Sequence, residues 1–320
     1  MQAYLAKRLL LIVPTLLGVA SLVFVIMRVI PGDVALLILG GDSGQIDKAE
    51  LAAMHQRLGL DQPMPVQFAA WLWGVLHLDF GTSLWTGRPV VEELLVRLPL
   101  SLELAILATI VSVLLAIPFG MLAAVRQDTW VDYLVRVISI GGLAIPSFWV
   151  GILVILFLVL YFGWAPPLEF TPPWIDPWAN FQQMVWPVAT VGYRYAAVTT
   201  RMTRSTLLEV LREDYIRTAW AKGLREQAIV VRHALKNAML PVITLIGTEF
   251  AFLIGGLVVT ETVFTLNGVG RFVVDAVAHR DYPVVQALVF LIALGFVIVN
   301  LLIDLTYAWF DPRIRYSATR

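Results

Sequence analysis

The chain has 320 residues, 59% hydrophobic and only 14% charged, with a mean hydropathy of +0.80 and no cysteine. Soluble globular proteins carry about 25% charged residues, so this is a membrane protein, and the lack of cysteine excludes disulfides, thiolate nucleophiles, iron–sulfur clusters and Cys-ligated zinc. Basic and acidic residues balance at 23 each, so only the distribution of charge along the chain is informative.

A bilayer-spanning helix needs about 20 mostly apolar residues, and six stretches qualify: Leu9 to Ile30, Leu100 to Val125, Val137 to Phe162, Val185 to Thr203, Leu240 to Thr260 and Val284 to Trp309. An even number places both termini on one side. Lys7 and Arg8 precede the first stretch as in a signal peptide, but its apolar run is too long for a signal core and no small-x-small site closes it, so it reads as a span. With the N-terminus inside, 15 basic residues fall in cytoplasmic segments, 7 in outer ones, and Arg194 within a span. That asymmetry predicts an N-in, C-in chain.

The first outer loop, Pro31 to Pro99, carries Asp33, Asp42, Asp47, Glu50, Asp61, Asp79, Glu92 and Glu93, and is too long for a connector. Asp47 caps a predicted helix over Lys48 to Leu58 that Gly59 stops, and Pro63 and Pro65 break the stretch beyond it. Val66 to Leu78 is apolar but too short to span, and reads as an interfacial or vestibule helix. Pro118 and Pro146 interrupt the second and third spans, as packing kinks or as hinges. The next outer loop combines Pro166, Pro167, Pro172, Pro173 and Pro177 with Trp164, Trp174 and Trp178, which predicts a stiff, non-helical connection at the membrane interface.

Arg201 to Met239 is the most informative cytoplasmic segment, with eight basic and four acidic residues. Helix formers dominate except at Gly223, so the segment reads as a helix, a turn at Gly223 and a second helix. Leu207, Leu208, Leu211, Tyr215, Ile216 and Ala219 recur at helical spacing, giving one face that seeks a partner. A solvated positive-inside loop explains the arginines but not this arrangement. At bilayer depth Arg194 and Glu249 are costly and default to functional candidates. Counting helical rise from the cytoplasmic side puts them at similar depth, so they either form an ion pair or line the path; alternatively Arg194 snorkels, faces an outer vestibule or binds a substrate carboxylate. Glu103, Asp304 and Asn300 read as structural, and the four His (His55, His77, His233, His279) lack the i, i+4 spacing of a helical metal site.

The cytoplasmic segment resembles the coupling loop of binding-protein-dependent ABC importer permeases, in particular the dipeptide, oligopeptide and nickel branch. The matching residues are Asp214-Tyr215-Ile216-Arg217-Thr218-Ala219-Trp220-Ala221-Lys222-Gly223-Leu224, then Arg232-His233-Ala234-Leu235-Lys236-Asn237-Ala238 and Pro241. Similar motifs recur in order along almost the whole chain: Pro31-Gly32-Asp33, Arg57-Leu58-Gly59-Leu60-Asp61, Leu78-Asp79-Phe80-Gly81-Thr82-Ser83, Arg97-Leu98-Pro99-Leu100-Ser101-Leu102-Glu103-Leu104, Pro146-Ser147-Phe148, Glu261-Thr262-Val263-Phe264, Gly268-Val269-Gly270-Arg271, Arg280-Asp281-Tyr282-Pro283 and Asp311-Pro312-Arg313. Trp220 and Lys236 stand where the branch usually has Arg, and Asn267 where it has Pro, which predicts an altered ATPase contact and a looser turn before Gly268.

The resemblance implies an all-α integral membrane protein of a single permease domain over residues 1–320, with six N-in/C-in helices, an external loop over 31–99 and a coupling-helix hairpin within 201–239. It implies a multi-pass subunit of the bacterial inner membrane that works with a second homologous permease, two ABC ATPases and an external solute-binding protein, with no nucleic-acid partner. Asp214, Tyr215, Ala219, Ala221, Lys222, Gly223, Leu224 and His233 are then the ATPase-coupling residues, the loop around Asp79, Phe80 and Gly81 docks the binding protein, and Arg194 and Glu249 are candidates for the translocation path. Ala219, Ala221 and Gly223 are expected to form one small-residue packing surface. No catalytic residue, resident cofactor or metal site is expected. ATP and magnesium belong to the partner subunits, since no G-x-x-x-x-G-K-[ST] loop occurs here. Peptides or similar small solutes are the expected cargo. A secondary transporter or channel subunit is the alternative, and a membrane-embedded enzyme a third reading that lacks convergent catalytic residues.

Overall fold

The computed structural model describes residues 2–29, 35–36, 39, 47–57, 59–167 and 169–310, with backbone alone at 2–7, 9, 57 and 307–310. The motifs Pro31-Gly32-Asp33 and Asp311-Pro312-Arg313, together with Asp42 and Leu58, lie outside the described residues. Among the described residues the protein is helical, apart from an isolated bridge between Thr82 and Pro89. The helices are α1 (Gln2–Val29), α2 (Lys48–Arg57), α3 (Met64–Leu76), α4 (Val90–Val125), α5 (Trp130–Ala144), α6 (Ser147–Phe162), α7 (Pro177–Leu211), α8 (Asp214–Ala221), α9 (Glu226–Ala228), a π-helical turn (Ile229–Ala234), α10 (Leu235–Gly256), α11 (Val258–Val263), α12 (Val269–Ala278) and α13 (Tyr282–Phe310).

By length and apolarity, four described helical stretches can cross a membrane: Leu10–Val29, Val90–Val125, Glu226–Gly256 and Tyr282–Thr306. The bent pair α5 and α6 raises this to five. The third and fourth expected stretches differ from the others. The third apolar stretch is not one straight span: α5 and α6 meet at 95°. Pro146 has no N–H to donate and pushes Ile145 into extended backbone (φ −95°, ψ 124°), which ends α5. The fourth stretch lies inside α7, whose 35 residues are long enough but too polar to qualify. Pro99 and Pro118 sit within the continuous α4, and Pro63 and Pro65 open α3 rather than break it.

Contacts divide the chain into two compact units, residues 1–98 with 272–295, and residues 99–271 with 296–320. In the first, α1 meets α3 through Phe24, whose ring lies edge-on to Phe68 at 5.3 Å, and through Arg28, whose Nε donates to Gln67 Oε1 at 3.1 Å. Trp71 of α3 packs edge-on against Phe290 of α13. The loop between α3 and α4 is tied to the start of α13: Asp281 accepts from the Ser83 hydroxyl and from the Leu84 N–H at 3.1 Å.

The second unit is organised around α7. Asp176 caps it by accepting from the N–H groups of Trp178 (3.0 Å) and Ala179 (3.1 Å), and Pro177 fits the first turn because its missing donor is not needed there. Its buried face packs on α5 and α10 most extensively. Leu100, Leu104 and Ala108 recur every four residues on α4, and this stripe meets Met184, Val188 and Val191 of α7 and Leu253 of α10. A second buried cluster, Leu207, Ile216, Ala219, Ile229, Val230, Ala234 and Ala238, holds the segment over residues 207–238 together.

Candidate functional site

The segment expected to couple to the ATPases is a compact hairpin. The expected helix over 201–222 is broken once more than foreseen: α7 ends at Leu211, and Glu213 adopts extended backbone before α8 begins. Within α8, Ile216 (0% exposed) and Ala219 (8%) point into the second buried cluster, while Asp214, Tyr215, Trp220, Ala221 and Lys222 are exposed. The adjoining π turn buries Ile229, Val230 and Ala234 against them and leaves His233 half-buried. Asn237 Nδ2 donates to the Tyr215 hydroxyl at 2.6 Å, clasping the two arms. Asp214 and Arg217 pair at 3.1 Å on an open surface, where such a contact contributes little.

Gly223 closes α8 with φ +74°: its N–H donates to Trp220 O at 2.9 Å and the Leu224 N–H reaches Ala219 O at 3.4 Å. A β-carbon there would meet open space. The glycine is therefore required by the left-handed backbone of the turn and not by close packing. The expected small-residue surface is not formed, because Ala219 faces inward while Ala221 and Gly223 face outward; Gly223 lies in the turn beyond the helix. What the hairpin presents is a ridge of Asp214, Tyr215, Trp220, Lys222 and Leu224.

Arg194 and Glu249 do not pair. Glu249 is buried and accepts from the Thr199 hydroxyl at 2.8 Å, whereas Arg194 is exposed. Thr199 follows Arg194 by five residues, about 140° around the helix, so similar depth did not mean a shared face. At the other candidate, Phe80 is buried (6% exposed), leaving Asp79 and Gly81 at the surface; Asp79 Oδ1 accepts from the Gly81 N–H at 3.0 Å.

Three polar knots were not anticipated. Glu261 accepts from the Ser101 hydroxyl at 2.6 Å and from the Arg271 N–H at 2.8 Å, while Ser101 Oγ accepts from the Val269 N–H at 2.8 Å. Glu261 is fully buried and lies beyond the apolar span of α10; burial pushes its carboxyl up, opposed by the Ser101 and backbone hydrogen bonds. A β-carbon at Gly268 would collide with the Glu261 carboxylate and Ser101. The turn containing Asn267 is thus held tightly and not loosened, and it also holds Thr265 at φ +55°. Asp132, wholly buried on α5, forms a bidentate pair with Arg204 of α7, both distances 2.7 Å. Asp281 gathers Ser83 and the N–H groups of Leu84 and Trp85, beside a Trp85–His279 stack at 3.8 Å. Partners 72 to 198 residues apart leave no local signal. Their only trace is that Ser83, Ser101, Glu261 and Asp281 all fall in the motifs that carry the resemblance.

The comparisons with known proteins agree with this architecture. The model of the binding-protein-dependent transport system inner membrane component family matches residues 116–316, and its N-terminal counterpart matches residues 1–105. The glutathione transport system permease protein GsiC of Salmonella paratyphi A is 43% identical, over 99% of this chain and 100% of its own. The dipeptide transport system permease protein DppB of Alkalihalophilus pseudofirmus is 36% identical over the same shares. A chain of the MetNI methionine ABC transporter, solved in an inward-facing conformation, superposes with a TM-score of 0.51 at 17% identity, covering 66% of this chain and 93% of that one, which speaks to the fold alone. The chain belongs to the binding-protein-dependent transport system inner membrane components: it is an inner-membrane permease of an ABC importer.

Proposed function

We propose that this permease forms, with a second homologous permease, a path for peptides or similar small solutes delivered by an external binding protein and driven by two ATPase subunits that hold ATP and magnesium. Six crossings, α1, α4, the bent α5–α6 pair, α7, α10 and α13, place both termini and the hairpin in the cytoplasm and the 31–99 segment outside. The whole chain then acts as one permease domain without chemistry of its own. Relatives named for glutathione and dipeptide transport support the cargo class.

The observation that carries this reading is the hairpin. A buried apolar cluster holds two short arms rigidly, while Asp214, Tyr215, Trp220, Lys222 and Leu224 remain uncovered on its outer side. Because α8 begins after only Arg212 and Glu213 beyond α7, a push on the ridge is transmitted to a helix at membrane depth. On the outer side, Asp79 and Gly81 with the neighbouring Trp85 offer the binding protein a polar and aromatic surface, and Phe80 anchors that loop from within.

The test is reconstitution with the cognate ATPases and binding protein. ATP hydrolysis is expected to rise when liganded binding protein is added, and uptake to require ATP. Uptake driven by an ion gradient without ATP would overturn the proposal in favour of a secondary transporter.

A further inference from the structure

The polarity of α7 has a particular layout. The buried Thr190, Thr200, Thr203 and Thr206 bond back to carbonyls three or four residues earlier, which satisfies hydroxyls inside a packed face. On the side of the helix away from Thr203, Arg194, Val198, Arg201 and Ser205 lie within about 60° of one another. Of these, Arg194, Arg201 and Ser205 are exposed. Arg194 and Arg201 are two turns, about 10 Å, apart along the axis. Lipid-facing surface on this chain has another character: the exposed residues of α6 are Phe148, Trp149, Ile152, Leu153, Leu156 and others of that kind. An arginine every second turn is costly against lipid.

At the cytoplasmic end the stripe opens into a cleft of about 630 Å³ lined by Arg136, Val198, Arg201, Arg204, Ser205 and Leu245, among others. No carboxylate lines it. Arg204 is committed to Asp132, and Arg136 lies 5.4 Å above the Tyr133 ring. Arg201 pairs with no acid among the described residues. Three guanidinium groups therefore share two nearby carboxylates, Asp132 and Asp128, leaving the cleft with excess positive charge and planar donors suited to bidentate capture of a carboxylate.

We propose that the Arg194–Val198–Arg201–Ser205 stripe of α7, with Arg136 across the cleft, lines the transport path and selects solutes bearing carboxylate groups. This rests on the permease reading above and adds the chemistry of what passes. Successive arginines let an anionic group step from one to the next, while the same charges repel cations. A lipid headgroup at the cytoplasmic surface could meet Arg136 and Arg201, but it does not account for Arg194 two turns deeper.

The natural lack of cysteine makes a direct test available. Val198→Cys and Ser205→Cys are introduced singly, the complete transporter is assembled with its partner permease, ATPases and binding protein in proteoliposomes, and each thiol is reacted with a methanethiosulfonate carrying either a sulfonate or a trimethylammonium group. After normalisation to a free thiol, the anionic reagent is expected to react roughly tenfold faster at both positions, from the Coulomb attraction of two nearby cations. Arg201→Gln in the Val198→Cys background leaves only Arg194 nearby and should bring that ratio down to roughly threefold. Equal rates, faster reaction of the cationic reagent, or no reaction at Val198→Cys would overturn the proposal. Reaction confined to Ser205→Cys and dependent on phosphatidylglycerol content would assign the charges to lipid instead. Stimulation of ATP hydrolysis by the binding protein, measured in the same vesicles, reports separately on the permease reading.

Discussion

The hairpin over residues 201–239 and the Glu261 knot belong to the same unit of the chain, yet they use their polar residues in opposite ways. In the hairpin, Asp214, Arg217 and Lys222 face water, so their local environment constrains little and the buried Ile216, Ala219 and Ile229 hold the shape. In the knot, one carboxylate with no exposure satisfies a serine hydroxyl and backbone donors, and no apolar side chain could replace it. The contrast separates two kinds of importance. Residues of the ridge are free to serve a partner, whereas residues of the knot are consumed by the fold.

That separation can be broken at several points. Glu261→Ala orphans the Ser101 hydroxyl and the Arg271 N–H in a buried site, each costing about 1–3 kcal/mol, so a loss of several kcal/mol is expected. It should appear as a large fall in thermal unfolding temperature in detergent; an unchanged transition would show that the knot is not structural. Asp132→Asn leaves Arg204 without its carboxylate and is expected to cost about 3 kcal/mol. Adding Arg204→Gln should recover part of that loss, and failure to recover it would argue against a specific pair.

Gly223→Val places a β-branched residue in left-handed backbone, at a cost of about 1–2 kcal/mol, confined to the turn. Inserted protein should be normal in amount while ATP hydrolysis no longer drives uptake; unchanged uptake would remove Gly223 from the coupling path. At the small end, Trp220→Ala on the exposed ridge should shift stability by less than about 0.5 kcal/mol. It should nevertheless weaken capture of the ATPases, because a lost interface aromatic costs about 2 kcal/mol or more, roughly thirtyfold in affinity. Normal co-purification of the ATPases with this variant would place their contact elsewhere.

Much of the fold was legible because burial in a membrane imposes long apolar runs, and the hairpin was legible because its glycine and its period are local features. The limits are equally specific. Pro146 was recognised as an interruption, but the size of the bend depends on how α6 packs against α7, which no spacing along the chain encodes. Arg194 and Glu249 were matched by depth, and the rotational phase of α7 separated them. Nothing local marks Ser101, Asp132 or Asp281 as partners, since what each one bonds lies far away in sequence.

Sequence alone determined the class of molecule, its long apolar stretches, the uneven spread of charge along the chain and, through a run of ordered motifs, its family. Those properties arise from composition and local periodicity, which survive without knowledge of any contact. Only the tertiary structure decided which polar residues are spent on holding helices together and which remain exposed. That choice depends on the phase of each helix against its neighbours: on α7, a rotation of half a turn distinguishes Thr203, packed and bonded to its own backbone, from Arg194, left exposed.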